Sequence, residues 1–272
     1  MTSLGLLLDV DGPIASPVTR TIAIPQIARD LAAIANAGNP VVFNTGRSDA
    51  FVREVVLPAL RGAGLRADAP VFAVCEKGAV WLSLAGEGEP EVHVDEELVV
   101  PREFAEELHG IADDFADTMF WDATKRTMLS IEQRVEVPSG RYLAAQRDFD
   151  ARAEEALRRH GLQGRVRLDP TIISTDVEDV RVGKALGAER ALALVAEAGA
   201  RIPEHWATAG DSRGDYAMAD WLHAHGYRVE HLDVRPADGV PETPYPVLAH
   251  DELVHDEATA VFLADWRAAV AA

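Results

Sequence analysis

The chain has 272 residues, of which 48% are hydrophobic and 26% charged, as in ordinary soluble globular proteins of one or two domains. Its 45 acidic residues outnumber 26 basic ones and give a formal net charge of −19, which argues against nucleic acid or an anionic membrane as a partner. No apolar run in the sequence approaches the roughly 18 residues that a membrane-spanning helix needs.

Cysteine content and the first residues indicate the compartment. The single cysteine, Cys75, excludes an intramolecular disulfide and fits a reducing cytoplasm. The first residues show no basic region and no cleavage site before the first apolar run. We therefore expect no signal peptide and a cytoplasmic protein.

The first 75 residues alternate between apolar strands and amphipathic helices. Strands are predicted over residues 4–9, 40–44 and 71–75, with helices over 26–37 and 48–60 between them. This βαβαβ order predicts a right-handed parallel sheet.

Beyond these strands the alternation is lost. The predicted elements are strand-like segments over 79–84 and 91–94 that suggest a hairpin, a helix over 102–116, a strand over 127–133, a helix over 140–160, and short strands over 166–168 and 172–175. Strands and helices grouped in this way predict an inserted α+β domain.

Alternation resumes after Gly183. The predicted elements are a helix over 185–198, a strand over 205–209, a helix over 216–225, a strand over 227–232 and a final helix from 257. The chain is therefore expected to be an α/β protein, with a core formed by residues 1–82 and 180–272 and an inserted domain over 83–179.

Carboxylates follow two of the predicted core strands. Asp9 and Asp11 lie two apart in Leu-Asp-Val-Asp-Gly, so one could attack phosphorus while the other protonates the leaving oxygen. Asp211, with Asp215 four residues later, could complete an all-oxygen Mg²⁺ site. Taken alone, the Asp-Val-Asp-Gly sequence also fits an ordinary acidic turn after a strand.

Two further motifs suit the binding of a phosphate group. Thr45 and Gly46 follow an apolar strand and precede a helix that Ser48 is expected to cap, and free N–H groups at a helix start can cradle phosphate. Lys184 opens another helix, where the helix dipole disfavours a cation, so it is either functional or a solvated surface lysine. Arg47 could contact phosphate or pack structurally.

In chain order, the four motifs are those with Asp9 and Asp11, with Thr45 and Gly46, with Lys184, and with Asp211 and Asp215. Together they resemble the motifs of the haloacid dehalogenase superfamily of phosphatases. The resemblance covers nearly the whole chain and implies a Rossmann-like three-layer α/β core with a parallel sheet and an inserted α+β cap. A cap between the second and third motifs is similar to the branch that holds the Cof-type sugar phosphatases, the sucrose and trehalose phosphate phosphatases, and the phosphomannomutases.

The resemblance also implies a role for each motif residue. Asp9 matches the nucleophile and Asp11 the general acid and base. The implied phosphate-binding residues are Thr45, Gly46 and Lys184, and the implied Mg²⁺ site consists of Asp9, Asp11, Asp211 and Asp215.

Four positions depart from the family pattern. Lys77 stands where Asn is usual, and Pro13 replaces a common Thr and lacks its backbone donor. Gly214 stands where Asn is frequent, so one oxygen ligand is missing, and Ser212 replaces a frequent Gly. None of these changes removes a principal catalytic group.

The sequence therefore predicts a Mg²⁺-dependent phosphomonoesterase that acts on a small phosphorylated metabolite, and a sugar phosphate is the expected substrate. Lys125, Arg126 and Arg134 in the cap are candidate substrate contacts, or else part of a solvated turn. Two alternatives stay open at this point. One is a phosphosugar mutase of the same fold, and the other is a catalytically weak binding or regulatory module.

Overall fold

A computed structural model describes residues 3–271, so Met1, Thr2 and Ala272, and with them part of the expectation about a signal peptide, lie outside the described residues. The chain divides into two compact units, one of Met1–His93 with Gly183–Ala272 and the other of Val94–Val182. Among residues 3–271, no helix has the length and apolar character to cross a membrane.

The secondary structure follows the predicted order closely. The strands are β1 (Leu4–Leu8), β2 (Val41–Asn44), β3 (Val71–Cys75), β4 (Val80–Ser83), β5 (Val92–Val94), β6 (Met119–Trp121), β7 (Leu129–Gln133), β8 (Val166–Pro170), β9 (Ser174–Asp179), β10 (His205–Gly210), β11 (Arg228–Asp233) and β12 (Val247–Leu248). The helices are α1 (Pro25–Asn36), α2 (Asp49–Phe51), α3 (Leu57–Gly62), α4 (Arg102–Asp113), α5 (Ser139–Arg159), α6 (Lys184–Glu197), α7 (Tyr216–Ala224) and α8 (His255–Ala271).

The main sheet has eight strands in the order β12-β11-β10-β1-β2-β3-β4-β5. Neighbouring strands from β12 to β3 are parallel, and β4 runs antiparallel to β3. Strands β2 to β5 lie on one side of β1, whereas β10 to β12, which come later in the chain, lie on its other side. The strand order therefore reverses at β1. Ligands of open α/β sheets bind at the carboxyl ends of the strands at such a reversal.

The sequence of β1 explains its central place. All five residues of Leu-Gly-Leu-Leu-Leu are buried, as expected for a parallel strand covered on both faces. Gly5 leaves room for the indole of Trp206 on β10, because a Cβ at Gly5 would lie 2.5 Å from Trp206 Cε3. Leu7, Val42 and Trp206 belong to one apolar cluster with residues of α6 and α7, which holds the strands that carry the site motifs.

The second unit contains an antiparallel sheet in the order β6-β7-β9-β8. Leu129, Ile131 and Val177 of this sheet pack with Tyr142 and Phe149 of α5 in its core. A parallel α/β sheet together with a separate α+β unit confirms the predicted fold class.

The boundary of the insertion differs from the predicted 83–179. The compact second unit spans Val94–Val182, because β4 continues the main sheet beyond β3 and β5 lies beside β4. The segment over 79–94 therefore extends the core sheet instead of opening the insertion.

Candidate active site

Asp9 lies directly after β1, at the carboxyl edge of the main sheet. It is only 6% exposed. Its backbone N–H donates to the Ala209 carbonyl of β10 at 2.9 Å, and its Oδ1 accepts the Val10 N–H at 2.7 Å. The predicted nucleophile is therefore a buried carboxylate, held by one backbone hydrogen bond to β10 and by another from the next residue of the chain.

Lys184 joins three of the loops at this edge. Its Nζ lies 2.7 Å from Asp9 Oδ1 and 2.7 Å from Asp215 Oδ1, and it donates to the Asn44 carbonyl at 2.7 Å. Since an ammonium group has three donors, these three oxygens match its full capacity. The first turn of α6 is thus tied to the ends of β1 and β2 and to the loop after β10.

The start of α6 reaches this position because its backbone approaches β2 very closely. Asn44 Nδ2 donates to the Lys184 carbonyl at 2.9 Å. A Cβ at Gly187 would lie 2.0 Å from Asn44 Oδ1, so glycine is needed one turn into the helix. The sequence placed Asn44 at the end of a strand and in the motif with Thr45 but predicted no role for it, although a polar residue that ends an apolar strand is a usable signal.

Asp215 organises the loop that follows β10. Its Oδ2 accepts the Asp211 N–H at 3.2 Å, the Ser212 N–H at 3.0 Å and the Ser212 hydroxyl at 2.7 Å. Its other oxygen contacts Lys184. Asp215 therefore fixes the position of Asp211, and Ser212 serves that loop directly.

Three carboxylates converge at this point. Ligand oxygens of Asp9, Asp211 and Asp215 all lie within 4.8 Å of one another. Burial raises the pKa of Asp9 well above its usual range, against the opposing effect of Lys184. Burial and the charge of Asp215 raise the pKa of Asp211 to about 6. Raised pKa values mean that these carboxylates are costly to ionise together without a positive charge beside them. A hard divalent cation such as Mg²⁺, which prefers oxygen ligands, fits such a group.

The charges of Asp215 and Lys184 support each other. Although burial opposes it, Lys184 and the Ser212 donors lower the pKa of Asp215. Burial lowers the pKa of Lys184, but the charges of Asp215 and Asp9 outweigh this effect and raise the pKa above its usual value. This pair therefore stays charged inside the protein.

Asp11 lies beside this group and is held by Arg47. Arg47 Nε donates to Asp11 Oδ2 at 2.8 Å, and Arg47 Nη2 donates to Oδ1 at 2.7 Å. The Asp11 side chain is 42% exposed, and its charge raises the pKa of both Asp9 and Asp211. The structure does not place the Asp11 carboxylate among the three converging carboxylates, so its predicted side-chain role in metal binding stays a prediction.

Thr45 and Gly46 form the turn between β2 and the next helix. Thr45 is buried, its N–H donates to the Val74 carbonyl at 2.9 Å, and its hydroxyl oxygen accepts the Arg47 N–H at 3.1 Å. Ser48 Oγ accepts the Phe51 N–H at 3.4 Å, so Ser48 caps the helix as expected. The turn that was predicted to bind phosphate therefore has a fixed backbone beside Lys184 and Asn44.

The three candidate cations of the insertion lie in the second unit. Lys125 and Arg126 belong to the connection between β6 and β7, and Arg134 Nε donates to the Ala116 carbonyl at 2.6 Å. Their role toward a substrate stays a prediction.

Solved structures match this chain over nearly its full length, whereas no protein-family model and no curated protein matches it. The C-terminal domain of C. albicans trehalose-6-phosphate phosphatase has a TM-score of 0.67 and 14% identity, and the match covers 98% of this chain and 92% of that one. A haloacid dehalogenase-like hydrolase from Bacteroides thetaiotaomicron has a TM-score of 0.65 and 15% identity, with 98% and 100% covered. Plasmodium falciparum IMP-nucleotidase has a TM-score of 0.57 and 10% identity, with 98% and 61% covered.

Identities of 10–15% establish a shared fold and leave the substrate open. Membership of the Cof-type branch also stays a prediction. The main sheet, the inserted unit and these structural similarities agree with the resemblance drawn from the four motifs. The chain therefore has the fold of the haloacid dehalogenase-like hydrolases.

Proposed function

We propose that this chain is a phosphatase that hydrolyses phosphomonoesters of small metabolites through a covalent intermediate on Asp9. The observation that carries the proposal is the buried ammonium of Lys184, shared between Asp9, Asp215 and the Asn44 carbonyl next to Thr45. This contact holds one oxygen of Asp9, and the other oxygen is the proposed nucleophile. A single buried cysteine fits action in the cytoplasm.

The proposed reaction has two displacements at phosphorus. In the first, an oxygen of Asp9 bonds to phosphorus while the bond to the leaving oxygen breaks, and Asp11 gives that oxygen its proton. In the second, water attacks phosphorus, Asp11 accepts the water proton, and the bond to Asp9 breaks to release orthophosphate. Because Arg47 donates to both oxygens of Asp11, Arg47 positions this acid.

The converging carboxylates would hold Mg²⁺, the ion that the family resemblance implies. When bound, Mg²⁺ supplies positive charge that offsets repulsion between the nucleophile and the phosphate group. Asp9 and Asp211 would be side-chain ligands. Asp215 would contribute mainly by fixing Asp211 and Lys184, since protein donors already contact both of its oxygens.

We propose a sugar monophosphate as the substrate, so that the leaving group is a sugar hydroxyl. Two similarities support this choice. The position of the insertion resembles the branch that holds sugar phosphatases, and the fold is similar to that of a trehalose-6-phosphate phosphatase.

Two other functions remain as outcomes of the tests. A phosphosugar mutase would use the same groups but return the phosphoryl group to the sugar, so it would release little orthophosphate. A catalytically weak binding module would bind phosphorylated ligands without turnover. The proposed substrate contacts Lys125, Arg126 and Arg134 would serve any of the three.

Replacement of Asp11 by Asn should slow hydrolysis most for substrates whose leaving oxygen needs a proton. We expect a loss of at least about 100-fold in kcat with an alkyl phosphate, whose leaving oxygen needs a proton, and a much smaller loss with an activated aryl phosphate. Steady-state release of orthophosphate measures both. The exposed Asp68→Asn serves as a matched control and should leave both rates unchanged. Equal losses on the two substrates would remove Asp11 from this role.

Mg²⁺ should stabilise the protein more at neutral pH than at acidic pH. Asp211 has a pKa of about 6 when folded, against an ordinary value of 3.8, so its ionisation destabilises the metal-free fold as pH rises through this interval. A cation that binds the ionised carboxylates offsets this cost, whereas protons compete with it at low pH. Thermal unfolding with and without excess Mg²⁺ should show a larger rise in Tm at about pH 7.5 than at about pH 5.

The Asp211→Asn variant is the control for this measurement and should lose most of the Mg²⁺-induced shift. An equal shift at both pH values, or a shift that survives Asp211→Asn, would contradict the proposed site.

A substrate panel tests the proposed leaving group. We expect sugar monophosphates to exceed nucleoside monophosphates and sugar bisphosphates by about ten-fold or more in kcat/KM. A preference for nucleotides would overturn the sugar assignment.

A further inference from the structure

A strained loop lies between β3 and β4. Glu76, Lys77 and Gly78 have φ angles of 48°, 56° and 112°, so three consecutive residues adopt backbone conformations that favour glycine. Such a conformation is unfavourable for a residue with a side chain, and it persists only where the surrounding structure enforces it. Neither Glu nor Lys adopts it readily, whereas Gly and Asn do.

The loop is fixed by both phosphate-binding motifs. The Lys77 N–H donates to the Thr45 carbonyl at 3.0 Å, and the Gly183 N–H donates to the Lys77 carbonyl at 2.7 Å. Lys77 is therefore bonded through its backbone to the Thr45 turn on one side and to the residue before Lys184 on the other. A Cβ at Gly78 would lie 2.8 Å from Leu186 Cγ, so the loop also packs tightly against α6.

The Lys77 side chain extends over Gly46. Its Cγ and Cε lie 3.9 Å and 3.7 Å from the point that a Cβ on Gly46 would occupy. The ammonium group, one bond beyond Cε, is thereby held beside the Thr45–Gly46 turn. A Cβ at position 46 would lie in ordinary van der Waals contact with the Lys77 side chain.

Lysine is also a rare residue in this chain. Of its 26 basic residues only three are lysines, namely Lys77, Lys125 and Lys184. The backbone of Lys77 is hydrogen-bonded to Gly183, the residue that precedes Lys184. The compact ammonium of lysine suits a phosphate oxygen as a point charge. A chain that otherwise uses arginine thus has lysines on both sides of the Thr45 turn.

Phosphate binding adds negative charge to a site that already holds four carboxylates. Those of Asp9, Asp11, Asp211 and Asp215 would be offset by Lys184, by Arg47, by the Arg235 guanidinium 3.8 Å from Asp211 and by the proposed Mg²⁺. A phosphate dianion exceeds this offset, so a further cation beside the phosphate would be favourable. We propose that Lys77 is a second phosphate-binding lysine, which contacts an oxygen of the phosphate group bound at Thr45 and Gly46. This deepens the proposed function and rests on it.

Replacement of Lys77 by Gly or Asn separates this role from a structural one. Both residues suit the backbone at this position, so Tm should be unchanged or higher, while the dissociation constant for orthophosphate should rise by about ten-fold or more. Isothermal titration of the full-length protein in the presence of Mg²⁺ measures binding. With an aryl phosphate, KM should rise more than kcat falls. Lys77→Arg should retain part of the affinity.

Arg20→Gly is the matched control, because Arg20 is an exposed cation with a φ of 55°. It should change Tm in the same direction and leave orthophosphate binding unaltered. Orthophosphate binding that is unaltered in Lys77→Gly, or undetectable in the unmodified protein, would overturn the inference. Lys77-dependent orthophosphate binding without turnover would support Lys77 and count against the phosphatase proposal alone.

Discussion

The arrangement of the site depends on one buried ammonium group. Lys184 lies 2.7 Å from oxygens of Asp9, Asp215 and Asn44, which lie after β1, in the loop after β10 and at the end of β2. A buried charge is tolerated only when it is paired and hydrogen-bonded, and loss of one partner leaves the other uncompensated. Lys184 therefore fixes the geometry of the loops and the charge of the carboxylates together.

Close backbone packing brings these groups within reach of one another. A Cβ at Gly210 would lie 2.1 Å from Asp215 Cβ, and one at Gly187 would collide with Asn44. Glycines at the end of β10 and in the first turns of α6 thus allow the loop after β10 and the lysine to approach β1. The central position of β1, with parallel strands on both sides, supplies the crevice into which they converge.

Much of this could be predicted from sequence because the core strands are continuous apolar runs. Nearly all residues of β1, β2, β3 and β10 are buried. Such apolar runs are easily recognised in a sequence, so Asp9, Thr45 and Asp211 could be predicted to follow strand ends. β6 and β12 were not predicted, since strands of three and two residues are too short to show a period. The first predicted boundary, at residue 83, falls at the end of β4, which continues the main sheet beyond β3 and alternates in burial.

Contacts between side chains that are far apart in the chain could not be predicted from the sequence. Arg47 follows the Thr45 turn by two residues, yet its partner is Asp11, 36 positions earlier, and no local pattern encodes that distance. The left-handed backbone at Lys77 was equally hidden, because lysine gives no signal for it. Both features depend on tertiary contacts that override local preference.

Identification of the residue that becomes phosphorylated tests the central claim most directly. The protein would be mixed with a substrate carrying labelled phosphorus and quenched in acid. One half of the sample would be digested directly to locate the label, and the other half would be reduced with borohydride, which replaces the acyl phosphate by an alcohol, before peptide mass spectrometry. The account predicts label on the peptide that contains Asp9, conversion of Asp9 to homoserine, and loss of both signals in Asp9→Asn. Turnover without label on Asp9, or label on another residue, would contradict it.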